Sequence, residues 1–99
     1  MVTAYLPLRL GRVMATPAAK EAIDENALPA SYFLTRHASG DWGDVCDDDK
    51  EANDASLLDG SRLLSAYKTS KGVRLWIITE AVDDDGVRAS TTILLPDEY

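Results

Sequence analysis

Apolar residues recur with one period up to Gly60 and with another after it. In "PAAKEAIDEN" they fall at Ala19, Ala22 and Ile23, and in "PASYFLTRHAS" at Ala30, Phe33 and Leu34, with His37 at the next position of the same stripe. Steps of three and four residues put each set on one buried helical stripe. Thr16 before Pro17 is a helix start with a capping hydroxyl, and Asn26 is its stop. Pro29 opens the second helix and Gly40 ends it. A third helix is predicted over roughly 48–58, capped by Asp47 and terminated at Gly60, with its acids gathered in the first turn where the helix dipole favours them. After Gly60 the period is two. "SRLLSAYK", "VRLWIITE" and "VRASTTILL" read as three strands, joined by "TSKG" and by a loop around "DDDG". At the other end, residues 4–10 ("AYLPLRL") and 12–15 ("RVMA") read as a strand interrupted at Gly11, with Pro7 marking an edge or an approach.

This order predicts the α+β class, as a single domain over residues 1–99. An antiparallel sheet, formed by the C-terminal meander plus the N-terminal strand, is expected to carry all three short helices on one face. Pairing Lys68 with Val73 and Thr79 with Val87 turns Leu64, Ala66, Val73, Leu75 and Ile77 toward the helices. Val87, Ala89, Ile93 and Leu95 join them. The opposite face then shows Leu63, Ser65, Tyr67, Arg74, Trp76, Ile78, Glu80, Arg88, Ser90 and Thr92. A register slip of one residue would invert any of these strands.

Charge changes the picture once it is localised. The net charge is −7. Residues 1–40 carry four bases and three acids, residues 41–60 one base and eight acids, and residues 61–99 five bases and six acids. One segment thus holds the whole excess. No basic stripe is evident to neutralise phosphates, so strong nucleic-acid binding is not expected and a protein is the expected partner. The lone Cys46, the missing signal-peptide order and the missing apolar span point to a cytoplasmic, non-membrane protein.

Candidate chemistry centres on "RHASGDWGD", residues 36–44, which holds the only histidine. His37 closes an apolar stripe, so it reads either as a buried, hydrogen-bonded residue or as a general acid or base. A nearby backbone group or a carboxylate such as that of Asp41 or Asp44 is the partner expected for it. Trp42 is expected to plug a gap between helices and sheet. Gly-Asp-Trp-Gly lacks the spacing of a phosphate cradle. Cys46 has no partner for a zinc site, and Asp47-Asp48-Asp49 lacks the alternation of a calcium loop. No metal or cofactor is expected.

The segments "LGRVMATPAA", "RHASGDWGD", "RLLSAYK", "WIITE" and "TTILLPDEY" together resemble a family of short, uncharacterised bacterial proteins, often plasmid-related. Its pattern is H-x-x-G-D-W-G, then S-A-Y, W-x-I-T-E and T-T-x-L-L-P-x-x-Y. The resemblance spans nearly the whole chain and implies a mobile-element setting without an activity. Two functions follow as expectations. One is a non-catalytic interaction or accessory module, using Arg62 and Trp76 on the sheet and Asp48 and Asp49 on the acidic helix. The alternative is a small metal-independent endoribonuclease of barnase- or RelE-like topology. In it His37 would be the acid or base, Arg74 a phosphate cation, and Tyr67 and Thr92 positioning hydroxyls.

Overall fold

Three α-helices and four strands make up residues 7–99, the part of the chain that the computed structural model describes. The stretch 4–6 of the expected N-terminal strand lies outside these residues. Strand β1 is Arg12–Ala15, and helices α1, α2 and α3 are Pro17–Asp24, Ala30–Ala38 and Asp47–Asp59. Strands β2, β3 and β4 are Leu63–Lys68, Arg74–Thr79 and Ser90–Leu94. Residues 7–10 precede β1 without forming a strand.

Local chemistry explains most of the boundaries. The Thr16 hydroxyl accepts from the Ala19 amide at 3.1 Å, and Pro17 fills the first helical position. Gly60 ends α3 in the left-handed conformation, at φ 83°. The start of α3 differs from expectation: Cys46 is the capping residue and makes no side-chain cap bond, while Asp47 is already helical. Asp47, Asp48 and Asp49 do occupy the first turn, where the helix dipole favours them.

The sheet order is β1-β4-β3-β2. β2, β3 and β4 form the antiparallel meander, but β1 lies parallel to β4, so the sheet is mixed rather than antiparallel. The chain leaves edge β1, crosses the helical layer and enters at the opposite edge, β2. Two hairpin reversals then bring β4 back alongside β1 in the same direction.

The first hairpin also departs from the expected register. Lys68 pairs with Arg74 rather than Val73. Thr69 bonds Val73 in both directions, with its amide donating to the Val73 carbonyl and its hydroxyl accepting from the Val73 amide. That leaves the three-residue loop Ser70–Gly72, with Gly72 at φ 84°, a preferred hairpin solution. The slip inverts β2, so Leu63, Ser65 and Tyr67 join Leu75, Ile77 and Thr79 on the helix side. Leu64 and Ala66 face the other way. In the second hairpin Thr79 pairs with Thr91, four residues from the expected Val87. An even offset preserves the faces, so Ile93 still points to the helices, while Val87 and Ala89 are exposed loop residues.

Ala19, Ile23, Phe33, Tyr67, Leu75, Ile77 and Ile93 form the main core between α1, α2 and the sheet. A smaller cluster of Leu8, Trp42 and Leu63 lies beside it. Trp42 fills the gap assigned to it and donates its indole N–H to Asp54 at 3.0 Å. α3 runs along the β2 edge. There the Asn53 carboxamide donates to the Leu64 carbonyl (2.7 Å) and accepts from the Leu64 amide (3.1 Å), completing a rung of the sheet with a side chain.

Candidate functional site

α2 delivers His37 to the middle of the sheet's helix side, where it has no accessible surface. Its partners are neither Asp41 nor Asp44. Nδ1 lies 2.5 Å from the Ser65 hydroxyl and Nε2 lies 2.8 Å from the Thr79 hydroxyl. Thr79 continues to Thr91 at 2.7 Å, and Thr91 donates to the Leu10 carbonyl at 2.7 Å. Proton counting fixes the direction of this chain. Thr91 spends its one proton on Leu10, so Thr79 donates to Thr91 and must accept from His37 Nε2–H. His37 Nδ1 is then the bare nitrogen and receives the Ser65 proton. Every member is satisfied when the ring is neutral.

The electrostatics agree. Burial, with the Arg88 guanidinium as a second cause, lowers the His37 pKa from 6.5 to about 4. A second proton would turn Nδ1 into a donor facing the Ser65 hydroxyl. Because the folded state holds this ring neutral while the unfolded chain protonates near 6.5, the contribution is complete above that pH and is lost on acidification toward pH 4. Unfolding free energy should therefore fall by roughly 1.4 kcal/mol per pH unit within that window. Urea melts at half-unit pH steps measure the slope, and His37→Gln should flatten it.

The other predicted residues divide between two faces. Tyr67 is buried on the His37 side and donates its hydroxyl to the Asp41 carbonyl at 2.5 Å. Burial pushes its pKa up to about 12. Arg36 lies over the Tyr67 ring at 4.6 Å and grips Asp41 through two bonds, of 2.7 and 3.2 Å. That pairing holds the Asp41 carboxyl below its usual pKa. Arg74 and Thr92, by contrast, lie on the far side of the sheet, with Arg74 exposed and directly across from Lys68. Arg62 and Trp76 share that outer side. Tyr99 sits between them, its ring 5.6 Å from Trp76 and its hydroxyl bonded by Arg62. Asp48 and Asp49 are exposed on α3. The structure brings Arg62 and Trp76 together around Tyr99. It separates the pair His37 and Tyr67 from the pair Arg74 and Thr92.

Three features escaped the sequence reading. The serine and threonines of the His37 chain look like ordinary strand residues until the hairpin registers are known. Arg88, placed on the outer face by the sequence, is buried at 9% exposure and clasps the fold. It donates to the carbonyls of Ser56, Ser61 and Glu80, tying the end of α3 to the ends of two strands. The third is a signal that was available: residues 61–79 contain Arg62, Lys68, Lys71 and Arg74 and no acid. Summed with the acidic loop that follows, this hairpin's +4 disappears into −1.

Among the described residues no three His, Cys, Asp or Glu side chains converge to hold a metal ion. Likewise none of their helices is long and apolar enough to cross a membrane. No protein-family model matches the chain, and no curated protein or solved structure matches it either.

Proposed function

We propose that the protein is a small non-catalytic interaction module, an accessory of a mobile genetic element. The observation that carries the non-catalytic part is the sealed His37. A general acid or base needs one nitrogen facing substrate, and here both are committed to Ser65 and Thr79 beneath the core. The endoribonuclease alternative would need His37, Tyr67, Arg74 and Thr92 on one surface, whereas they occupy opposite sides of the sheet. The mobile-element setting rests on the motif resemblance alone.

For recognition the chain offers the outer sheet side around Arg62, Trp76 and Tyr99, and the acidic first turn of α3. The test is incubation of the purified protein with end-labelled single-stranded RNA between pH 5 and 8. The RNA is expected to stay intact over hours at micromolar protein. Cleavage that disappears in both His37→Gln and Arg74→Ala would establish the nuclease instead.

A further inference from the structure

The two edges of the sheet are treated very differently. On β2 the chain itself meets the outward-facing backbone groups of Leu64, through the Asn53 carboxamide, and of Ala66, through the Trp42 carbonyl and the Asp44 amide, leaving only Lys68 at the strand end. On β1 the amides of Arg12 and Thr16 bond β4 through Ala89 and Ile93. Ladder alternation therefore turns the N–H and C=O groups of Val13 and Ala15 away from the sheet. No backbone among the described residues pairs with them. Native proteins blunt such an edge with proline, lysine, a bulge or a cover. β1 has only Arg12, and beside it Val13 and Met14 are 45% and 42% exposed.

A groove of about 590 Å³ opens next to this edge on the helix side. Val13, Ala15, Ile23, Leu28, Leu34 and Ile93 line it, so its walls are mainly aliphatic. We infer that the free edge of β1 takes up an extended segment of another protein as a fifth strand, with every second side chain apolar and seated in this groove. Main-chain hydrogen bonds would hold such a strand and the groove would select it. The inference rests on the interaction-module reading and names the class of its partner.

A second copy fits poorly. Two-fold pairing of β1 with itself would set groove against groove, with only Val13 and Ala15 to fill both. Charge favours a foreign segment with basic flanks, because Lys20 and Asp24 on the groove wall pair with each other at 2.8 Å, which leaves the exposed Glu21 of α1 and the capping Glu25 unneutralised along that helix.

The test is selection from a display library of random nine-residue peptides against the purified protein. Enriched peptides are expected to alternate apolar and polar residues, to carry Lys or Arg at an end, and to perturb the backbone NMR signals of Val13–Ala15. Val13→Pro removes an outward N–H that serves no β4 bond, and Leu28→Lys puts a cation on the groove wall. Each should weaken the selected peptides at least tenfold without changing Tm. If Val13→Pro does not fold, Val13→Lys takes its place. No enrichment, or peptides that bind these variants as well as the parent, would overturn the inference. So would a dimer in sedimentation equilibrium that Val13→Pro abolishes, since a second copy would then own the edge. None of these results depends on the RNA assay, so the two readings fail separately.

Discussion

His37→Ala is expected to destabilise the fold by about 3 kcal/mol or more, a fall in Tm on the order of 12–24 °C for a chain of this size. Removing the ring empties a fully buried site and orphans two hydroxyls together, because Ser65 loses its acceptor and Thr79 its donor. A buried polar group left without a partner costs about 1–3 kcal/mol, whereas exchanging both partners for apolar groups of similar shape is close to neutral. The triple variant His37→Leu, Ser65→Ala, Thr79→Val should accordingly recover most of the loss. Thr91 keeps its bond to Leu10 in that variant. Urea melts of parent, single and triple variants decide it. A triple variant as unstable as the single one would mean that ring shape, not polar satisfaction, sets the cost.

Gly43→Ala, in the loop that follows α2, should match that effect. Gly43 has φ 75°, where an L side chain is strained by about 1–2 kcal/mol. A Cβ there would also run into the Ala66 carbonyl oxygen and lie 2.7 Å from Tyr67 Cδ1. Neither can retreat, since Ala66 is bridged to this loop through Trp42 and Asp44 and Tyr67 is pinned by Asp41. The expected loss is about 3 kcal/mol or more, read as a lowered urea midpoint. Gly72→Ala is the control, because its Cβ would meet nothing within 4 Å and only the backbone strain should register.

How far the residues alone lead differs from element to element. Thr16-Pro17, Gly40 and Gly60 mark helix ends through local stereochemistry, which needs no tertiary information. Leu75 and Ile77 are fully buried as the alternation of β3 requires. The face of β2 could not be read the same way. "RLLSAYK" contains apolar residues at both parities, and its orientation hangs on whether the turn closes at Lys68 or Thr69. The parallel pairing of β1 depends on a crossover through three helices, and no residue of "RVMA" encodes it. His37 was legible as the end of a buried stripe. Its partners were not: the alternation of β3 already turns Thr79 toward the helices, but Ser65 reaches His37 only because the register slip turns β2 over.

The surrogate rung at Leu64 rests on one primary amide, and its chemistry bears on how the molecule ages. Hydrolysis of Asn53 to aspartate would exchange its N–H donor for a carboxylate oxygen facing the Leu64 carbonyl, so the strand's outer margin would be forced open. Deamidation needs the following backbone nitrogen to swing onto the side-chain carbonyl. The helical geometry that aims Asn53 at Leu64 holds that nitrogen out of reach, so the same turn of α3 that seals the margin also shelters its seal.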